Sequence, residues 1–302
     1  MLTKFTALVM GVLLSVSAMA ADMATADMAT LTRQAQSGGA VAQSDLADEY
    51  YQQGNHAKAF EWYTKAANQG EAEAQHNLGV MYYEGQGVRQ DYYKAVEWYT
   101  KAANQGYAGA QFNLALMYAQ GDGVRQDYHK AFEWFTKAAN QGLAEAQFSL
   151  GVMYDEGQGV RQDYYKAVEW YTKAANQGYA GAQFNLALMY YEGQGVRQDD
   201  QEAVEWYTKA AGQGHAEAQY NLGVMYYEGQ GVRQDYHKAV EWFTKAANQG
   251  FAQAQNNLGV MYDEGQGVRQ NIATAKIYYG QACDHGLQKG CDNYRLLHQQ
   301  GH

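Results

Sequence analysis

The segment from Glu71 to Gly106 returns five more times without a change of length, as 107–142, 143–178, 179–214, 215–250 and 251–286. A chain copied at a fixed period of 36 residues does not build one central core. Each unit must bury its apolar face on its neighbours, which gives a stacked solenoid. A seventh unit, 39–70, leads the series and is four residues shorter, because Gln52-Gln53-Gly54-Asn55 stands where the others carry a longer glycine loop. The units starting at Tyr107 and Tyr179 share Ala-Gly-Ala-Gln-Phe-Asn-Leu-Ala-Leu-Met-Tyr, while their neighbours carry Leu-Gly-Val-Met-Tyr, so the array reads as grown by duplication of pairs.

Within a unit, Ala74, Leu78, Met81 and Tyr82 recur at helical spacing and predict an amphipathic first helix over 72–84. Gly79 interrupts it at a cost of about 1 kcal/mol relative to Ala, which is tolerable where a neighbouring helix must come close. Gly85-Gln86-Gly87-Val88 then breaks the helix, Asp91 is placed to cap a second one over 92–104, and Gly106 ends it. Ala95, Trp98, Ala102 and Ala103 share the apolar side of that second helix, which assigns the Trp column (Trp62, Trp98, Trp134, Trp170, Trp206 and Trp242) to the core rather than to a ligand track. Glu97 and Lys101 stand four apart with Glu first, a pair that recurs in four later units and contributes a few tenths of a kcal/mol on a solvated face. The absence of proline suits such a nearly continuous run of helices.

Residues 1–20 have the form of a secretory signal peptide, with Lys4 in a short charged region, an apolar run from Phe5 to Met19, and Ala18-Met19-Ala20 as the cleavage site. The mature chain is expected to begin at Ala21 and to stay in the periplasm or be secreted, with no transmembrane segment after the leader. A flexible small-residue segment is expected over 21–38, and a capping helix with a short tail over 287–302. The net charge of −10, without a basic face, argues against nucleic acid as a partner.

The pattern A-x-A-Q-x-N-L-G-x-M-Y-x-x-G-x-G-V-x-x-D-x-x-K-A-x-x-W-Y-x-K-A-A-x-Q-G, as it stands in Glu71 to Gly106, resembles the Sel-one-like repeat family, a relative of the tetratricopeptide repeats. The resemblance covers 39–286 and implies an all-α, right-handed superhelical solenoid of helix-turn-helix repeats, its concave side lined by first helices. It also implies an adaptor or scaffold that binds a protein or peptide, of a kind often exported in bacteria, rather than an enzyme. Three departures stand out: the short opening loop, Tyr278 in place of Trp, and Asn271 in place of the capping Asp. The ending, with Cys283 and Cys291, is similar to the cysteine-rich secreted branch of the family, where such a pair ties a second helix to the next first helix. That likeness implies a disulfide here. It also brings the alternative of a hydrolase of β-lactam or cell-wall-related substrates, which no serine or metal motif in the sequence supports. No cofactor or metal is implied; His129 and His237 occupy one repeat position three units apart, too distant to share an ion.

Binding residues are sought among the positions that change chemistry while the rest of the repeat holds still. One column runs His76, Phe112, Phe148, Phe184, Tyr220 and Asn256; a second, seven residues later, runs Tyr83, Ala119, Asp155, Tyr191, Tyr227 and Asp263. Both fall opposite the stripe centred on Leu78 and Met81. Facing a groove, they form an aromatic and acidic strip suited to a peptide with apolar anchors and some basic residues. Packed against the next unit, they are inter-repeat glue, and at this stage both readings stay open. A third column, Arg89, Arg125, Arg161, Arg197, Arg233 and Arg269, is expected to pair locally with acids such as Asp91 or Glu84. The alternative for it is an exposed row that grips an anionic envelope polymer.

Overall fold

The start and stop residues of each unit recur, and so do the helices they delimit. The computed structural model describes residues 28–300, among which there are sixteen helices and no strand. The first helices of the seven units are Ala40–Gln52, Ala72–Glu84, Ala108–Gln120, Ala144–Glu156, Ala180–Glu192, Ala216–Glu228 and Ala252–Glu264, each thirteen residues long. The second helices are His56–Asn68, Tyr92–Asn104, Tyr128–Asn140, Tyr164–Asn176, Asp200–Gly212, Tyr236–Asn248 and Ile272–Asp284. No helix among the described residues is long and apolar enough to cross a membrane. The expected leader, 1–20, and the residues that follow it up to 27 lie outside the described residues.

Capping chemistry sets the boundaries. The Asp91 carboxylate accepts the Lys94 backbone N–H at 3.1 Å, and Asn271, at the position of the missing Asp, still accepts from the Thr274 N–H at 3.0 Å. Gly87 lies in the left-handed region at φ +69, and a Cβ there would stand 2.3 Å from the His56 carbonyl oxygen. Only glycine lets the loop of one unit rest on the start of the preceding unit's second helix.

The helices form two compact halves, one running to Ala146 and including Gln158–Arg161, the other holding Gln147–Gly157 and everything from Gln162 onward. In the first half, Tyr99, Ala102 and Ala103 pack with Ala110, Leu114 and Met117 of the following unit. In the second half, Tyr207, Ala210 and Ala211 pack in the same way with Ala218, Leu222 and Met225. Each core is thus shared between a second helix and the next first helix, and its alanines allow the helices to approach closely.

Three expectations are corrected here. The Trp residues are half-buried at the margin of the core, while the next residue on the helix, Tyr99 in the second unit, is 2% exposed. What comes close to Gly79 is that ring and not a helix backbone: a Cβ on Gly79 would meet the Tyr99 ring at 2.6 Å. Residues 28–36, part of the segment expected to be flexible, form a helix, Met28–Gln36, that buries Leu31 and Ala35 against Leu46. At the other end, Gln288–Gln299 forms a closing helix tied to the preceding one by a Cys283–Cys291 disulfide.

Candidate functional site

The first variable column lies on the first helices, and each of its aromatic rings meets the buried ring of its own unit's second helix. Ring centroids are 5.8 Å apart for His76 and Tyr99, 5.6 Å for Phe112 and Phe135, 5.9 Å for Phe148 and Tyr171, and 5.8 Å for both Phe184 with Tyr207 and Tyr220 with Phe243. On the other side most of them meet the leading residue of the next unit: His76 with Tyr107 at 5.0 Å, Phe148 with Tyr179 at 5.1 Å, Phe184 stacked on His215 at 4.6 Å, and Tyr220 with Phe251 at 5.1 Å. His76 and Phe112 are each 1% exposed and have no surface to offer a partner, which removes them from the candidate contacts. Phe148, Phe184 and Tyr220 keep a partly exposed edge.

His76 is a core histidine. Its Nδ1–H donates to Asn77 Oδ1 at 3.2 Å and its Nε2 accepts from Asn113 Nδ2 at 3.1 Å. Burial pushes its pKa down to about 4, so the ring sits neutral in its pocket.

The second column, apart from the buried Ala119, is half-buried and remains at the surface. Tyr191 donates to Gln230 Oε1 of the next glycine loop at 3.2 Å, and Tyr83 reaches Asp122 of its neighbouring loop. Burial, and then the Asp122 carboxylate, push the Tyr83 phenol up to about 12. Asp155 accepts from the buried Tyr171 hydroxyl at 3.1 Å. In the second half the half-buried Asp155, Tyr191, Tyr227 and Asp263 stand on successive first helices, with Glu192, Glu228 and Glu264 exposed immediately after them. The result is an acidic strip with tyrosine edges.

The Arg column departs from expectation. All six Arg residues are exposed, and none forms an ion pair with a carboxylate of the described residues. The loops place the acids at the caps, where backbone N–H groups hold them, instead of beside the guanidinium. On the second helices the paired cation is Lys: Lys101 stands 2.8 Å from Glu97 and 3.7 Å from the Trp98 ring centroid, and the Lys–Trp stacking repeats at Lys137, Lys173, Lys209 and Lys245. Of the described serines, Ser44 and Ser149 are buried, and the Ser37 hydroxyl donates to Gln34 O.

The Sel1 repeat matches seven times, at 40–71, 72–107, 108–143, 144–179, 180–215, 216–251 and 252–287. The chain belongs to the Sel1-repeat family. It is 38% identical to c5321, described as a protective antigen present in uropathogenic Escherichia coli strains and displaying an SLR fold, with a TM-score of 0.89 over 92% of this chain. This chain spans 60% of the length of that one. A Sel1 repeat protein from Oxalobacter formigenes is 36% identical, with a TM-score of 0.74, the match covering 89% of this chain and 79% of the other. No curated protein matches the sequence.

One recurring interaction of these Sel1 units escaped the sequence reading. The Gln of A-x-A-Q is buried, and Gln75 Nε2 donates to Ala67 O of the preceding second helix at 3.0 Å while its Oε1 accepts from Gln105 Nε2 at 2.8 Å. Gln111, Gln183, Gln219 and Gln255 repeat the first bond. A signal for it existed: the two glutamines never vary between the longer units until His285 takes the second place, and there the His285 ring nitrogen bonds Gln255 Oε1 at 2.8 Å.

Proposed function

We propose that this Sel1-repeat chain is an exported, non-catalytic scaffold that binds a protein or peptide along the row Asp155, Tyr191 and Tyr227, with Tyr83 as its counterpart in the other half. The observation that carries the reading is the row itself: it is partly exposed, and it changes from Tyr to Asp between units that are otherwise almost the same. In a solenoid the positions free to vary at the surface are where specificity is built. Phe148, Phe184 and Tyr220 flank the row with their exposed edges. The partner's complementary chemistry is one or two apolar anchors beside Lys or Arg, which the following Glu192 and Glu228 would meet. A disulfide supports an oxidising compartment, periplasmic or extracellular. Likeness to a protein described as a protective antigen is in keeping with the same placement.

The test is a pull-down from native envelope and culture extracts with mass spectrometry, comparing the wild-type chain with Tyr191→Ala/Tyr227→Ala and with Glu192→Gln/Glu228→Gln. A partner held by the wild type and lost or weakened by both variants, with helicity intact by circular dichroism, is the expected outcome. The same proteins retained by all three would remove the row from the function. Turnover of a chromogenic β-lactam by the pure chain would overturn the non-catalytic reading.

A further inference from the structure

The Arg column gains a meaning where it meets a second variable position. Two residues after the Asp cap, on the outer side of the second helix, the units carry in turn Tyr93, His129, Tyr165, Gln201, His237 and Ala273. Tyr93 and Tyr165 are 79% and 75% exposed, the largest exposures of any aromatic residue described. In the two histidine units the surface is hollowed. Tyr118, Arg125, Asp127, Tyr128, His129 and Lys130 line an open cavity of about 600 Å³. Three units later Tyr226, Arg233, Asp235, Tyr236, His237 and Lys238 line another of about 600 Å³.

Each cavity is built in the same way. The loop of the following unit forms one side: Gly159 there lies so close that a Cβ would stand 2.2 Å from the Tyr128 carbonyl oxygen, and Gly267 is set against Tyr236 likewise. Lys130 is held over the Tyr118 ring, 5.1 Å from its centroid, and Lys238 over Tyr226 at 5.0 Å, so both ammonium groups are positioned although neither is in an ion pair with a described carboxylate. Arg125 and Arg233 are likewise without one. Each hollow thus holds two cations outside any ion pair together with an imidazole. Beside them stand groups of the opposite kind. Gln126 uses its amide N–H groups on Ala119 O at 2.8 Å and the Tyr128 hydroxyl at 3.0 Å, which leaves its carbonyl oxygen as an acceptor. Asp127 contributes a carboxylate of which one oxygen caps the helix.

This mixture selects among anions. A bare oxyanion needs only donors and far less room than 600 Å³. A nucleic-acid strand, with a charge on every nucleotide, would meet the Asp carboxylate in each site and a chain of net charge −10. A sugar ring that carries one anionic group and several hydroxyls uses everything present: the anionic group against Arg and Lys, the hydroxyls against Asp and Gln, and a ring face against tyrosine or imidazole. We propose that the two cavities are binding sites for the acidic residues of an oligosaccharide or polysaccharide, carboxylated or sulfated. The second cavity adjoins the tyrosine row, since its Tyr236 ring lies 5.3 Å from that of Tyr227, but the assignment does not rest on that row binding a protein.

The experiment is a calorimetric titration of the full chain with four probes: tetragalacturonate for the carboxylated class, a heparin-derived tetrasaccharide for the sulfated class, cellotetraose as the neutral control, and an oligothymidylate. The proteins are the wild type, the variant Arg125→Gln/Lys130→Gln/Arg233→Gln/Lys238→Gln, and Arg197→Gln, which lies outside both cavities. All the altered side chains are exposed, so helicity serves as the check on folding. One of the two acidic tetrasaccharides should bind, at least tenfold more weakly in the fourfold variant, unchanged with Arg197→Gln, and less tightly as salt is raised; which of the two binds names the class. The assignment is overturned if neither acidic probe binds, if the fourfold variant binds as the wild type does, or if cellotetraose or the oligothymidylate binds as tightly as the acidic sugars.

Discussion

Gln111 ties three parts of the chain together: its Nε2 donates to Ala103 O at 3.1 Å, and its Oε1 accepts from Gln141 Nε2 at 2.8 Å, which also reaches Gly106 O at 2.8 Å. Replacing it by Leu keeps the volume and deletes both bonds, leaving the Gln141 amide short of an acceptor in a partly closed site. The expected loss is about 1–3 kcal/mol, read as a lower urea midpoint at unchanged slope; an unaltered midpoint would show that the ladder is ornamental. The sequence concealed this contact because periodicity sorts residues by polarity and places a Gln outside. The neighbouring error, Trp98 for Tyr99, has a similar origin. The two stand next to each other on a broad apolar side, and in this unit it is the Tyr99 ring that lies over Gly79. Comparison of the units with one another does hold such information: Asp155 and Asp263 receive the hydroxyls of Tyr171 and Tyr279, whereas beside Phe135, which has none, the column carries a buried Ala119.

Caps and stops made the elements legible almost to the residue. Asp91, Gly106 and the double-glycine loop are local signals, and their recurrence from unit to unit averages out the ambiguity of any one. The helix Met28–Gln36 lacks that support, since it stands outside the repeat and only Leu31 and Ala35 mark its buried side. Gln288–Gln299 likewise lies outside the repeat, and the Cys283–Cys291 bond ties it to the helix before it. Gly290 shows how tight the junction is, since a Cβ there would lie 2.6 Å from the Ala282 Cβ. Closing so short a loop contributes about 2–3 kcal/mol, and almost all of it should act locally. Reduction without denaturant is expected to raise hydrogen exchange across 288–299 while leaving Ala180–Glu192 protected as before. Equal protection of the closing helix in both redox states would mean that packing alone holds it.

For the molecule as a whole, the fold was readable and the ligands were not, because stacking is written into every unit whereas recognition rests on a few side chains whose exposure depends on how neighbours pack. His76 shows the consequence: as a letter in a variable column it looks like a contact, and in the structure it is a neutral core residue opposed by a partly buried titrating group. Asp48, in the unit before it, has its pKa raised to about 7, first by burial and then, against the lowering effect of the Tyr63 hydroxyl bond, by the nearby Glu73, Asp45 and Glu71. Its folded value exceeds the unfolded one, so the native chain holds the extra proton, and this contribution to stability declines as pH rises from about 4 to 7. His76 works in the opposite sense. Its folded value, about 4, lies below the unfolded 6.5, so its contribution is complete above pH 6.5 and is lost as pH falls toward 4. Between these limits the two slopes offset each other in the wild type. Asp48→Asn should therefore gain stability relative to the wild type as pH is raised from 4.5 to 6.5, and His76→Phe, which installs the residue found at Phe112, should gain relative to it as pH is lowered over the same range. Urea midpoints at three pH values in that window decide the matter. Parallel profiles for the wild type and both variants would mean that neither group titrates as its surroundings require.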